Sequence, residues 1–261
     1  MPKQDREYGY MTGLEEEAQW VSMPRGQNIS GYGVGILYLD KVWYPMVPGN
    51  IVNAYTFDFP VRLKAVTGLD TPWLHSGDPA VFDVLLGAAK ELAAEGVRAI
   101  SAACGFFGHF QGRLAAAMDI PVAVSSLVQA PWIEILLGGK GRIGVLTANA
   151  SAMSESLFAS CGIAHPERLV VADLCHAPQF SAIMEDRGAF DNTEVRREVV
   201  SAAVGLLEEH PDIGAILLEC SDMPPYAWAV QRATGLPVFD FTTLIRWLHG
   251  AVAQKPYAGW V

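Results

Sequence analysis

Residues 97–126 read VRAISAACGFFGHFQGRLAAAMDIPVAVSS, and a diverged copy, IGAILLECSDMPPYAWAVQRATGLPVFDFT, occupies residues 213–242. A shift of 116 positions without a gap aligns the two segments and places Cys104 on Cys220. The same shift also aligns Ala99 with Ala215, Ile100 with Ile216, Pro121 with Pro237 and Val122 with Val238. Each copy therefore supplies one cysteine at one equivalent position.

Each copy has the pattern of a strand followed by a helix and a second strand. An apolar run stops at the cysteine, a turn follows, and a helix-compatible segment leads to a short apolar run that opens at Pro121 or Pro237. The cysteines then lie at the carboxyl ends of strands, where open α/β sheets bind their ligands. Backbone N–H groups and a helix dipole at that position favour a thiolate, so we expect both cysteine pKa values to be lowered.

Two further repeats indicate that whole halves of the chain are duplicated. The candidate strand at 33–38, GVGILY, matches RIGVLT at 142–147 after a shift of 109, and predicted helix starts at Asp78-Pro79 and at Asp191 differ by 113. The sequence therefore predicts an α/β fold of two similar three-layer domains with parallel sheets. We expect pseudo-twofold symmetry between these domains and an active-site cleft between them.

Composition restricts the partners and the compartment. The chain of 261 residues has 51% hydrophobic residues, enough for a large core, and a formal net charge of −10, which argues against nucleic-acid binding. The charged N-terminus lacks the apolar core of a signal peptide, and the nearly uncharged stretch 120–139 divides into strand and helix better than into a membrane span. We therefore expect a cytoplasmic protein that binds a small molecule and no membrane.

The cysteines show no metal-ligand spacing. Cys104, Cys161, Cys175 and Cys220 form no CxxC pair, and the Gly-x-Gly at 33–35 is too short for a dinucleotide-binding fingerprint. We interpret all four as reduced thiols, and Cys161 and Cys175, which have no repeat partner, as structural. The predicted chemistry therefore uses neither a cofactor nor a metal.

Two thiols that converge on one cleft suit proton transfer at opposite faces of a carbon. One thiolate removes a proton α to a carboxylate or carbonyl and the other thiol returns one, which racemises the carbon. The enolate between these steps needs hydrogen-bond donors. The candidate substrate-binding residues are Gly105, Phe106, Ser125, Thr147, Asn149, Ser221, Asp222 and, in the long Pro/Gly/Asn-rich loop at 44–57, Asn53.

The chain resembles the aspartate/glutamate/hydantoin racemase superfamily from about residue 30 to its end. The resemblance is carried by GVGILY at 33–38, GRIGVLTAN at 141–149, AACGFFG with Cys104 and LLECSDMP with Cys220. It implies that Cys104 and Cys220 are the opposed acid and base of the reaction. It also implies a homodimer.

The resemblance also implies a division of the chain into domains. The first domain would comprise residues 28–125 and 237–261, the second would comprise residues 126–236, and residues 1–27 would form an N-terminal extension. The chain would thus return to its first domain at the end.

The reaction stays open between several alternatives. Members of this superfamily also decarboxylate malonates or isomerise maleate. Gly105-Phe106 and Ser221-Asp222 follow the cysteines, whereas amino-acid racemases commonly have Asn-Thr and Thr-His there. The leading hypothesis is a cofactor-independent racemase or epimerase of a small carboxylate, an amino acid or a hydantoin-like ring. The alternatives are a decarboxylase or a maleate-type cis/trans isomerase that uses one cysteine, and a relative that binds a small ligand without catalysis.

Overall fold

Two parallel sheets of four strands each form the centre of the computed structural model, which describes residues 22–261. The first sheet contains β1 (Val34–Leu39), β2 (Val61–Val66), β3 (Ala99–Ala103) and β4 (Val122–Ala123) in the spatial order β2-β1-β3-β4. The second contains β5 (Arg142–Thr147), β6 (Leu169–Asp173), β7 (Ile213–Leu218) and β8 (Val238–Phe239) in the order β6-β5-β7-β8. All pairs of neighbouring strands are parallel. The predicted α/β fold with two similar parallel sheets is therefore confirmed.

The strand registers reproduce the sequence repeats. In each sheet, one residue of the strand that precedes the cysteine pairs with a residue on each of its two neighbouring strands, and these pairs are equivalent in the two sheets. The paired residues are Gly35, Ile100 and Val122 in the first sheet and Gly144, Ile216 and Val238 in the second. These triplets are related by the shifts of 109 and 116 that the sequence shows. The cysteines consequently follow equivalent strands, β3 and β7.

Eight α-helices of the described residues connect and cover the strands. They are α1 (Thr71–His75), α2 (Val81–Ala94), α3 (Gln111–Ala117), α4 (Ala130–Leu136), α5 (Glu155–Ser160), α6 (Asn192–Glu209), α7 (Ala227–Thr234) and α8 (Phe241–Val252). Within residues 22–261, the structure contains no helix that is both long and apolar enough to cross a membrane.

Each sheet is the middle layer of its half, because successive side chains of a strand point to opposite faces. In β1, Leu37 packs in a core with α2, whereas Ile36 packs in a different core with α8. In β7, Ile216 packs in a core with α6, whereas Leu217 joins the core that contains Leu37. One apolar core therefore runs through both halves and fixes the strand ends that carry the cysteines.

The predicted helix starts are borne out at one of the two positions. Asp191 caps α6, and its carboxylate accepts the backbone N–H groups of Thr193 and Glu194. The start predicted at Asp78-Pro79 is wrong, since α2 begins at Val81. The Asp78 carboxylate instead accepts the N–H of Ala80 and closes the turn before the helix.

The chain crosses between the two halves near its end. Strand β8 pairs with the second sheet, and α8, which follows directly, packs against β1 and β3 of the first sheet. The division into domains at 125/126 and 236/237 stays a prediction. Of the predicted N-terminal extension, residues 1–21 lie outside the described part of the chain.

Candidate active site

Cys104 and Cys220 line one buried cavity at the carboxyl ends of β3 and β7. Cys104 directly follows β3, and Cys220 lies two residues after the end of β7. Both halves of the chain contribute to the wall, for example with Leu39 from the first and Ile183 from the second. This inner cavity has a volume of about 30 Å³. The structure thus brings together the two thiols that the repeat relates.

A larger outer cavity of about 420 Å³ lies beside the inner one. Thr71, His75 and Met184 line both cavities, and Asn149 lines the outer one. The side-chain amide of Asn149 donates to Nδ1 of His75 over 3.1 Å, which joins the second half of the chain to α1 of the first. The outer volume is in the range of small-molecule sites. Because Thr71, His75 and Met184 line both cavities, the two cavities adjoin each other at these side chains.

His75 contacts the sulfur of Cys104. Its ring packs on Phe106 with 4.0 Å between the centroids, and its Nε2 lies 3.7 Å from Sγ of Cys104. Because an amide nitrogen only donates, Asn149 makes Nδ1 the acceptor and leaves the ring proton on Nε2. Burial, and then the nearby His109, lowers the pKa of His75 to about 4, so the ring is neutral at pH 7. Cys104 therefore faces an N–H donor and not a basic nitrogen.

Cys220 contacts a carboxylate instead. Its thiol donates to Oδ2 of Asp222 over 3.4 Å, and the same carboxylate accepts the hydroxyl of Tyr44 at 3.3 Å and the amide of Asn50. Burial raises the pKa of Asp222 to about 6, although the hydrogen bonds that it accepts lower it. Asp222 is therefore ionised at pH 7, and Cys220 has a proton acceptor in direct contact.

The pKa values of both thiols are raised, so the expected lowering at helix starts is wrong. Burial is the largest cause for both sulfurs, and the buried carboxyls Glu219 and Asp222 add to it. The backbone N–H groups of Phe106 and Asp222 lower the respective pKa values but do not compensate. Both thiols are consequently protonated at rest.

Glu219 is the second buried carboxyl of the inner cavity. Its side chain is 0% exposed, and its Oε2 accepts the hydroxyl of Thr147 at 2.8 Å. Its Oε1 has no hydrogen-bond partner among the described residues and lies so close to Gly105 that a Cβ there would be 1.7 Å away. Burial, and secondarily the charge of Asp222, raises the pKa of Glu219 to about 7. At neutral pH this carboxyl is partly protonated.

Four of the eight predicted substrate-binding residues line the cavities. They are Phe106, Ser221 and Asp222 in the inner cavity and Asn149 in the outer one. Two others, Gly105 and Thr147, contact the side chain of Glu219. They shape the inner cavity through that side chain.

The structure places the remaining two, Ser125 and Asn53, elsewhere. The hydroxyl of Ser125 accepts the N–H of Leu127 and caps a short 3₁₀ helix. The amide of Asn53 donates to the carbonyl of Met46 and stabilises its own loop. Asn50, three residues earlier, is the amide of that loop that reaches Asp222.

Among the residues of the site that are absent from the predicted set, four have polar side chains that contact a thiol, Asp222 or Gly105. They are Tyr44, Asn50, His75 and Glu219. Tyr44 and Asn50 lie in the 44–57 loop, whose length and composition predicted a function. Glu219 carried a local signal, since it is a charged residue that ends an apolar run directly before the cysteine. His75 carried none, because it reaches Cys104 only through the tertiary packing of α1.

Comparisons with known proteins agree with this architecture. The sequence profile of the family described as Asp/Glu/Hydantoin racemase matches residues 66–248. A "Dimethylsulfoniopropionate lyase" of Durusdinium sp. clade D is 32% identical over 219 residues, which cover 82% of this chain and 72% of the relative. "Dimethylsulfoniopropionate lyase 7" of Emiliania huxleyi (strain CCMP1516) is 32% identical over 237 residues, which cover 87% and 69%.

A solved structure of unliganded arylmalonate decarboxylase is similar in fold. It matches with a TM-score of 0.57 and 19% identity, and the match covers 86% of this chain and 93% of that one. At this identity the likeness extends to the fold alone. The profile match over 66–248, with the relatives at 32% identity, shows that the chain belongs to the Asp/Glu/hydantoin racemase family.

Proposed function

We propose that this protein is a lyase that cleaves dimethylsulfoniopropionate, with Cys220 as the base. The names of the relatives at 32% identity support this substrate. The observation that carries the proposal is the charge of the inner cavity. Its wall contains two carboxyl groups and two thiols, and none of the described residues that line it is a lysine or an arginine.

An acidic cavity favours a substrate with a positive pole. Dimethylsulfoniopropionate joins a sulfonium cation to a carboxylate and is neutral overall. The ionised Asp222 and the aromatic side chain of Tyr44, which lie together in the wall, suit the sulfonium group. A malonate or maleate would bring two negative charges beside Asp222, where like charges repel. The cavity therefore favours the zwitterion over the substrates of the predicted decarboxylase and cis/trans isomerase.

Cys220 is the proposed base because its proton has an acceptor. The thiol proton passes to Oδ2 of Asp222, and the thiolate removes a proton from the carbon next to the substrate carboxylate. The electron pair of that C–H bond forms the C=C bond, the C–S bond breaks, and its electron pair leaves on neutral dimethyl sulfide. The products are acrylate and dimethyl sulfide. The abstracted proton stays on Cys220, and the proton on Asp222 is released to solvent.

Cys104 does not exchange a proton with the substrate in this elimination. Its sulfur faces the Nε2–H of His75, so it has no basic group that takes its proton at that contact. We assign Cys104 to the wall of the cavity, although it is the repeat equivalent of the base Cys220.

The test is the release of both products. The purified protein is incubated with dimethylsulfoniopropionate, dimethyl sulfide is measured in the headspace by gas chromatography, and acrylate is measured by proton NMR. We expect the unmodified protein to release dimethyl sulfide and acrylate in equal amounts. We expect the same from Cys175→Ser, whose thiol lies outside both cavities. We expect Cys220→Ser to release both products at a rate lowered by roughly 10³-fold or more. Absence of both products from the unmodified protein contradicts the proposal.

A second candidate is a cofactor-independent racemase or epimerase, and the two thiols on one cavity favour it. In that reaction Cys104 and Cys220 exchange protons with opposite faces of the α-carbon. Amino acids and hydantoins incubated in deuterated water would then gain deuterium at that carbon. Such exchange, lost in both Cys104→Ser and Cys220→Ser and without release of dimethyl sulfide, would select the racemase.

A further inference from the structure

We propose that Glu219 binds the substrate, with its carboxyl protonated and donating a hydrogen bond from Oε1 to the substrate carboxylate. The inference deepens the proposed function, and it uses only the carboxylate of that substrate. Glu219 lies in the wall of the inner cavity together with Cys104 and Cys220. The bound carboxylate would thereby be placed beside the thiol that removes the neighbouring proton.

The position of the Glu219 carboxyl is fixed by its surroundings. Its backbone N–H donates to the carbonyl of Leu146 at 2.8 Å, and its carbonyl accepts the hydroxyl of Ser126 at 3.0 Å. Its Oε2 accepts the hydroxyl of Thr147. The end of β5 and the start of a short 3₁₀ helix therefore hold this residue, so its carboxyl is fixed in the wall of the inner cavity before a ligand binds.

The atom Oε1 is the part of Glu219 that is left without a hydrogen bond. It is buried, and no described residue donates to it or accepts from it. The neighbouring position is Gly105, and any Cβ there would collide with Oε1. A buried polar atom without a partner is costly and uncommon, so a ligand that bonds to it is favoured.

The ionisable groups around Glu219 keep its proton in place. Asp222 and Cys220 face it from its own loop, Cys104 from the end of β3, and Cys161 from the end of α5. All four are neutral or negative, and burial with the charge of Asp222 raises the pKa of Glu219 to about 7. The pKa of Asp222 is about 6. A protonated Glu219 donates, and an ionised Asp222 attracts a cation, which matches the two poles of a zwitterion.

The test uses acrylate, which carries the carboxylate and is not turned over, and measures its affinity by calorimetry against pH. For the unmodified protein we expect the affinity to fall about tenfold for each pH unit above about 7, because Glu219 loses its proton. Glu219→Gln keeps a donor at every pH. We expect this variant to lose that fall while its affinity at about pH 6 stays within a few-fold. As a control, Asp222→Asn should still show the fall, moved to lower pH, because the charge of Asp222 raises the pKa of Glu219.

Thr147→Val provides a second test that leaves Glu219 in place. The Thr147 hydroxyl lowers the pKa of Glu219, so its removal should move the fall in affinity to higher pH. A Glu219→Gln variant with the pH profile of the unmodified protein, or a Thr147→Val variant with an unmoved profile, would overturn the proposal. If acrylate binding shows the expected profile and no dimethyl sulfide is released, the lyase is rejected and the role of Glu219 stands.

Discussion

The thiol of Cys220 donates a hydrogen bond to Oδ2 of Asp222 over 3.4 Å, and this contact distinguishes Cys220 from its repeat partner Cys104. Cys104, at the equivalent place in the repeat, faces the N–H of His75 instead. A thiol of raised pKa becomes a base only if its proton moves to an acceptor. The duplicated cysteines are therefore chemically unequal.

The first prediction follows from this inequality. Cys220→Ser should lower the rate of dimethyl sulfide release by roughly 10³-fold or more, because a hydroxyl loses its proton far less readily than a thiol. Cys104→Ser should keep measurable activity. The rates of both variants are measured with circular dichroism spectra as the check on folding. Equal and complete loss in both would show that both thiols take part in the elimination and would contradict the assignment of Cys104 to the cavity wall.

The second prediction concerns Asp222 and pH. Activity should rise with pH as Asp222 ionises at about 6, since only the carboxylate accepts the thiol proton. Asp222→Asn should lower kcat by about 10²- to 10⁴-fold, the usual contribution of a general base. Tyr44→Phe is the matched variant, because it removes one donor that lowers the pKa of Asp222 and keeps the ring. We expect it to shift the rising limb to higher pH, and an unshifted limb would assign that limb to another group.

The third prediction concerns the close approach of Gly105 to Glu219. A Cβ at Gly105 would lie 1.7 Å from Oε1 and 2.8 Å from the carbonyl oxygen of Glu219. Gly105→Ala should therefore destabilise the protein by about 1–3 kcal/mol, as overpacking in a core does. It should also raise KM, since the carboxyl is displaced.

Gly112→Ala is the control for that substitution. Gly112 lies in α3, and a Cβ there meets no atom within 4 Å. Alanine at this position should stabilise the protein by about 0.4–1 kcal/mol through the entropy of the unfolded chain. Chemical denaturation measures both variants, and equal effects at the two glycines would show that the contact with Glu219 is unimportant.

The fourth prediction links Glu219 to stability. The pKa of this carboxyl is raised from 4.5 to about 7 on folding, so its contribution is fully present below pH 4.5 and is lost as pH rises through 7. The free energy of unfolding should fall by up to about 3 kcal/mol over this interval on account of Glu219. Asp222, whose pKa is also raised, should add a fall at lower pH.

Glu219→Gln should remove the Glu219 part of that dependence. Denaturation at several pH values is compared with Glu208→Gln, which replaces an exposed carboxyl on α6. The gain in stability of Glu219→Gln over the unmodified protein should grow with pH up to about 7 and then level off. A gain that does not change with pH would mean that Glu219 folds with its ordinary pKa.

The sequence by itself determined the fold class and the equivalence of Cys104 and Cys220. Apolar periodicity and turn residues are local properties of the chain, and the shifts of 109 and 116 are found by comparing the chain with itself. The strand registers follow both. It also marked the 44–57 loop, which carries Tyr44 and Asn50. Local signals are sufficient here because each strand and helix is specified by its own residues.

Only the tertiary structure decided which polar groups meet at the thiols. Asn50 and Asp222 are 172 positions apart, Cys104 and His75 are 29 apart, and neither contact has a local signature. The directions of the pKa shifts also depended on it. Strand ends and helix starts predicted lowered thiol pKa values, but burial and the two carboxyls raise them. Desolvation and through-space charge depend on three-dimensional surroundings, which a linear pattern does not contain.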